Sequence, residues 1–157
     1  MTEDVPDFVQ QAAPGPWILG GSGALRWSVF HVYDIALYAQ GDARDAEVDV
    51  VLDVTYRRRV ASADIVGASI KEMTRLYPSA ADRATRWGES LARIIPDCER
   101  GTRLTALFRR GRSLAFYVDG RRAGEIVDGA LSEAFLAIWL SESTSEPALR
   151  QKLLARF

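Results

Sequence analysis

The stretch from Gly20 to Ala39, GGSGALRWSVFHVYDIALYA, constrains the fold of this chain more than any other. It begins with glycines, which permit positive φ angles, and this predicts a flexible turn over residues 20–23. The residues that follow are rich in Val, Ile, Tyr, Phe and Trp, which favour β-strands. Both faces of this segment are largely apolar. We therefore expect one long strand from about Leu25 to Ala39, near the middle of a sheet that is covered on both sides.

The rest of the chain predicts further strands, which occur at residues 17–19, 48–56, 102–109, 113–118 and 121–127. The clean alternation of residues 48–56 indicates a half-exposed strand, paired with the long strand as an antiparallel hairpin. Asp119-Gly120 is a strong signal for a tight turn between the last two strands. Three helices are predicted to begin at the capping residues Ser62, Ser79 and Asp128, and Pro147 is predicted to lie in the first turn of a last helix. The resulting order favours an α+β fold, with helices layered on one face of an antiparallel sheet.

The chain of 157 residues has the length of one domain. Residues 1–16 are polar and end in a Pro- and Gly-containing segment, so we predict an irregular N-terminal lead-in there. Residues 17–157 are then the single folded domain.

Composition excludes several classes of function. The net charge of −1 gives no electrostatic reason to expect nucleic acid as a partner. One cysteine and one histidine exclude an intrachain disulfide and a multi-cysteine zinc site, and we expect no metal. No apolar run approaches the roughly 20 residues that span a bilayer. The N-terminal residues lack a signal-peptide pattern, which indicates the cytoplasm by default, or the periplasm if a leader has been removed. Composition does not predict the oligomeric state.

His31, the only histidine, lies in the predicted long strand, with Arg26 just upstream and Tyr33 two residues on. An imidazole suits a general base near neutral pH. It could instead be an axial haem ligand, although the absence of a CxxCH motif excludes covalent c-type haem. A hydrogen-bonded core histidine is the third interpretation. No acid or second base has a fixed spacing to His31 that would make a catalytic pair.

Three phrases of the sequence resemble the bacterial branch of the chalcone isomerase-like proteins. They are GSGALRWSVFHVYDIALY, FYVDGRRAGEI, and AFLAIWLSES followed by PALRQKLL. Together they cover nearly the whole chain from about residue 18. The resemblance implies an open-faced β-sandwich, in which a large antiparallel sheet carries a layer of helices and a ligand cleft lies between the two.

The resemblance also implies a choice of functions. Plant enzymes of this fold close a chalcone to a flavanone, other members bind fatty acids without catalysis, and some mitochondrial relatives bind haem. In the plant enzymes and the fatty-acid binders, an arginine that follows the glycine turn faces the anionic group of the ligand. Arg26 is the nearest match to it in this sequence. A tyrosine on the following strand joins it in the fatty-acid binders, and Tyr33 is the counterpart. The downstream threonine and asparagine positions of the plant enzymes have no match that we can find.

We therefore expect non-catalytic binding of a small, fatty-acid-like apolar anion, with Arg26, Tyr33 and His31 as ligand-binding candidates. A guanidinium suits a carboxylate because it is always charged and donates to both oxygens. By strict alternation Arg26 shares a strand face with Asp34, and an ion pair between them is the structural alternative. An isomerase or intramolecular lyase acting on a phenolic enone, with Arg26 as the catalytic stabiliser of the anion, stays open. A haem-binding protein that uses His31 is a further alternative.

Overall fold

The computed structural model describes residues 3–157, which fold around one six-stranded antiparallel sheet. The strands lie side by side in the order in which they occur in the chain. They are β1 (Ile18–Trp27), β2 (Phe30–Ala39), β3 (Val50–Tyr56), β4 (Arg103–Arg109), β5 (Ser113–Val118) and β6 (Arg121–Ile126). Each neighbouring pair is antiparallel, so the predicted α+β fold is confirmed.

Four of the helices cover one face of the sheet. They are α2 (Ser62–Leu76), α3 (Ala84–Ala92), α4 (Gly129–Leu140) and α5 (Pro147–Leu153), and a short 3₁₀ helix at Pro78–Arg83 joins α2 to α3. The main core lies between this helical layer and the sheet. Its fully buried side chains come from both sides and include Ile35, Leu52, Phe108, Met73, Trp87 and Leu131. This is the open-faced sandwich that the sequence predicted.

The other face of the sheet carries a helix that the sequence analysis missed. We predicted residues 1–16 to be irregular, but helix α1 spans Asp7–Ala12. The buried apolar residues of this segment are Val9 within α1, Val5 just before the helix and Ala13 at its C-cap. They pack against the sheet in a second, smaller core with Tyr38, Leu107 and Tyr117. This cover explains why β3, which we predicted to be half exposed, is buried on both faces.

The single long strand and the glycine turn were also wrong. The chain reverses at Ser28, which has a φ of +55°, and so divides the predicted strand between β1 and β2. Residues 20–23 lie inside β1, and none of their glycines has a positive φ. They are needed for close approach instead, because a Cβ on Gly21 would overlap the carbonyl oxygen of Lys152 in α5. Main-chain contact between a strand and a helix leaves room only for glycine.

Several local predictions are confirmed. The last three strands form a meander, and Asp119 and Gly120 both have positive φ at its second turn. Asp128 caps α4 by accepting a hydrogen bond from the N–H of Leu131 at 3.1 Å.

The prediction that Ser62 is the N-cap of α2 was wrong. Its own N–H donates to the Asp97 carboxylate at 2.8 Å, and its hydroxyl donates to the Ile95 carbonyl. No helix within residues 3–157 is both long and apolar enough to cross a membrane.

Candidate functional site: a pocket between sheet and helices

An apolar pocket of about 230 Å³ lies between the sheet and helices α2 and α4. Its floor is built by side chains of five strands, most of them alternate residues, because residues two apart in a strand face the same way. In β2 the adjacent residues Val32 and Tyr33 both line the pocket, because Val32 is an extra residue at the register shift against β1. These floor residues include Leu25, Val32, Val54, Leu104, Ala106 and Phe116. The roof consists of Ile65 and Ala68 of α2 with Phe135, Ile138 and Trp139 of α4. Close-packed interiors rarely leave spaces of this size, so the pocket is the candidate binding site.

Two tyrosines stand side by side on the pocket floor. Tyr33 of β2 and Tyr56 of β3 are register partners, and their ring centroids are 5.7 Å apart in an edge-on arrangement. The Tyr33 hydroxyl accepts a hydrogen bond from the Trp139 indole N–H at 3.0 Å. The Tyr56 hydroxyl has no hydrogen-bond partner within residues 3–157. Burial raises the pKa of both phenols well above its ordinary value, so both hydroxyls stay protonated at physiological pH.

The charged groups that line the pocket are all acidic. Asp64 and Glu72 project from α2, and Glu146 precedes α5. Burial alone would raise the pKa of Glu72, but hydrogen bonds from Ser145 and Arg75 lower it, so Glu72 is ionised at neutral pH. Among the residues that the structure describes, no lysine, arginine or histidine lines this pocket. Its electrostatic character is therefore negative.

The structure places only one of the three predicted ligand-binding residues in the pocket. Tyr33 lines it, but Arg26 and His31 do not. In β1, Leu25 and Trp27 line the pocket, so the exposed Arg26 between them points away from it and lies opposite His31. The register shift at this point leaves Val32 of β2 as an extra residue and does not interrupt the alternation of β1. The expected pair of Arg26 with Tyr33 is therefore not formed. Arg26 also makes no ion pair with Asp34, whose carboxylate binds His31 and Arg57 instead.

The sequence of the chain matches the model of the chalcone isomerase-like family over residues 4–155. The chain belongs to the chalcone isomerase-like family. An uncharacterized protein of Haemophilus influenzae is 24% identical over 150 residues, which cover 95% of this chain and 73% of that protein. The crystal structure of an Arabidopsis thaliana fatty-acid binding protein is similar with a TM-score of 0.71 at 13% identity, over 98% of this chain and 90% of that one. At 13% identity, this structural similarity shows only that the two proteins share a fold.

His31 of this chalcone isomerase-like protein belongs to a polar cluster outside the pocket lining. Its Nε2 lies 2.6 Å from Oδ1 of Asp34, and Arg57 donates to Oδ2 of the same carboxylate at 2.6 Å. This nitrogen faces Asp34, so His31 does not fit the role of axial ligand to a haem held in the pocket. Within residues 3–157, no group of three or more His, Cys, Asp and Glu side chains is placed to hold a metal ion.

The Asp34 cluster predicts a pH dependence of stability. Burial would raise the pKa of Asp34, but hydrogen bonds and charges from Arg57 and His31 lower it below its ordinary value. Its charged form therefore stabilises the fold above about pH 4, and this contribution is lost as the pH falls through the lower, folded-state pKa. Because the cluster is partly exposed, we expect Asp34→Asn to lower the free energy of unfolding by about 0.5 kcal/mol at neutral pH. Urea titrations should show this difference shrinking toward about pH 2; a constant difference would contradict an electrostatic origin.

The sequence analysis did not identify Tyr56 or the three acids as site residues. Tyr56 did carry a signal, because it ends the alternating pattern of β3 on the same face as Leu52 and Val54. The acids carried none, since Asp64 and Glu72 are ordinary polar residues of an amphipathic helix in the sequence.

Proposed function

We propose that this protein binds a small apolar molecule in the pocket between its sheet and helices α2 and α4, without catalysing a reaction. The observation that carries the proposal is the pocket itself, which is open to solvent and lined mostly by apolar side chains. An apolar ligand gains roughly 25 cal/mol for each Å² that it removes from water. The structural neighbour from Arabidopsis, which is a fatty-acid binding protein, supports a binding role for the same fold.

The titratable groups of the pocket favour binding over catalysis. Two phenols whose pKa values are raised by burial are poor bases at neutral pH. Glu72, whose pKa is lowered by its hydrogen bonds, is a weak base as well. Arg26, the candidate anion stabiliser of an isomerase, does not line the pocket. An isomerase mechanism would therefore lack the charged group that the sequence suggested for it.

Filling the pocket from its rim should weaken binding. Ala68 is an exposed residue of α2 that lines the pocket, so an indole there can occupy the opening without disturbing the core. We expect Ala68→Trp to weaken binding of the neutral fluorescent probe N-phenyl-1-naphthylamine by a factor of about 10 or more, by excluding it from the apolar surface. Ala63→Trp is the matched control, since Ala63 is exposed on the same helix and does not line the pocket.

Fluorescence titration measures the affinities, and circular dichroism checks that both variants are folded. Equal binding by the two variants would place the probe elsewhere and contradict the proposal. Native mass spectrometry of the purified protein, followed by organic extraction, identifies any molecule that the cells supply. A bound molecule that is converted during incubation with the protein would contradict the non-catalytic part.

A further inference from the structure

The two tyrosines give the pocket unused hydrogen-bond donors. Tyr56 is only 5% exposed and lines the pocket, yet its hydroxyl has no partner in the described part of the chain. Every fully inaccessible side-chain nitrogen or oxygen in that part does have a partner, so the Tyr56 hydroxyl must retain some accessible surface. Because the rest of the ring is buried against the floor, that surface faces the pocket. A ligand that forms a hydrogen bond with this buried hydroxyl is therefore favoured over one that does not.

Tyr33 offers the second donor. Its hydroxyl oxygen accepts from the Trp139 indole, and its own hydrogen has no acceptor in the described part of the chain. The indole fixes the position of this oxygen, so the donor is held in place before a ligand arrives. The Tyr33 and Tyr56 rings are adjacent, and both phenols remain protonated. Together they offer two O–H donors from adjacent rings of the pocket lining, which suits a hydrogen-bond acceptor on the ligand.

The charges that line the pocket oppose an anion. Asp64, Glu72 and Glu146 line the pocket, and the negative charge of Glu146 contributes to the raised pKa of Tyr33, so its field reaches the phenol. The Arg75 side chain, which does not line the pocket, pairs with Glu72 and donates to the Ser143 carbonyl. A carboxylate that entered the pocket would lose water and gain no cationic partner there.

Resting on the proposed function, we infer that the pocket selects an uncharged apolar ligand whose polar end accepts hydrogen bonds, such as the carbonyl of an ester, ketone or aldehyde. Tyr56 and Tyr33 donate to this acceptor, and the three carboxylates discriminate against a free fatty acid in its ionised form. The preference is therefore opposite to that expected from Arg26, which would have favoured an anion.

The test compares three ligands of one chain length: dodecane, methyl dodecanoate and dodecanoic acid. Each displaces N-phenyl-1-naphthylamine from the protein at pH 7.5, at concentrations below micelle formation. We expect the ester to bind about 10-fold more tightly than the ionised acid and about fivefold more tightly than the alkane, as one or two hydrogen bonds would give. Equal or tighter binding of the acid would overturn the inference.

Variants assign the preference to named groups. Tyr56→Phe should weaken the ester about fivefold and leave the alkane unchanged, because only the ester uses the hydroxyl. Tyr117→Phe is the matched control, since Tyr117 lies in the second core on the opposite face. Glu146→Gln should strengthen the acid and leave the ester unchanged, because only the acid feels the charge. An ester affinity that is insensitive to Tyr56→Phe would overturn the role of Tyr56.

The outcomes separate the two proposals. If the probe and all three ligands fail to bind, the proposed function fails and the inference fails with it. If the alkane and the acid bind as well as the ester, the pocket is an apolar binding site as proposed, and only the selection by charge and hydrogen bonding is wrong.

Discussion

Replacing Gly21 by alanine is expected to lower the free energy of unfolding by about 3 kcal/mol, at the upper end of the range for overpacking. Gly21 lies in β1 directly beneath α5, where an added Cβ would overlap the carbonyl oxygen of Lys152 and lie 2.9 Å from its carbonyl carbon. These are main-chain atoms, so no side-chain rotation relieves the clash. Either the helix or the strand must shift; Leu149 and Leu153 of the helix belong to the main core, and Leu25 of the strand packs against it.

The same substitution at Gly67 is the matched control. Gly67 is exposed in the middle of α2, and a Cβ there would have no atom within 4 Å. Alanine removes the conformational cost of glycine in a helix, so Gly67→Ala should raise the free energy of unfolding by about 0.5–1 kcal/mol. Urea unfolding followed by circular dichroism measures both variants. Effects of the same sign would show that contact with α5 is not what requires glycine in β1.

Arg103→Met is expected to lower the free energy of unfolding by about 3 kcal/mol, because it leaves a buried carboxylate without its cation. Asp53, which is 5% exposed, accepts hydrogen bonds from Nε and Nη2 of Arg103 at 2.8 and 2.6 Å. Its only other side-chain donor in the described part of the chain is the Thr105 hydroxyl at 2.9 Å. The loss in free energy of unfolding stays at the lower end of the range for buried ion pairs. The Arg103 side chain is 40% exposed, so water can enter its place in the variant and solvate part of the Asp53 carboxylate.

Two comparisons test this origin. Arg59 pairs with Asp97 and Glu99 at the surface, so Arg59→Met should cost less than about 1 kcal/mol. Combining Arg103→Met with Asp53→Asn removes the uncompensated charge, and the double variant should be more stable than Arg103→Met alone. Thermal unfolding ranks all three. A double variant that is less stable than the single one would show that packing of Arg103, rather than its charge, is what matters.

Local signals in the sequence were enough to predict most of the sheet. Asp119-Gly120 fixed the last hairpin, and Asp128 marked the start of α4, because both effects act within a few residues. The glycines of β1 were misinterpreted, since a run of glycines permits either a turn or close packing, and only the position of α5 decides between them. Helix α1 was missed because polar composition outweighed the spacing of its few apolar residues.

The site was predicted only in part, for a related reason. Tyr33 was identified from the resemblance to the family, and it does line the pocket. Tyr56 becomes its neighbour through the register of β2 against β3, which a single sequence does not specify. Arg26 was expected in the site from the family resemblance, but it alternates with Leu25 and Trp27, which line the pocket, and so lies on the other face of β1. Tertiary packing, and not local pattern, sets the lining.

The long connection between β3 and β4 carries much of the pocket roof, and its two ends are clamped together by a pair of main-chain hydrogen bonds between Val60 and Cys98 at 2.8 and 2.9 Å. Within residues 3–157, no other main-chain hydrogen bond joins residues 61–97 to the rest of the protein. Between its two ends, this part of the roof is therefore held to the sheet by side-chain packing, through buried core residues such as Met73, Trp87 and Leu91.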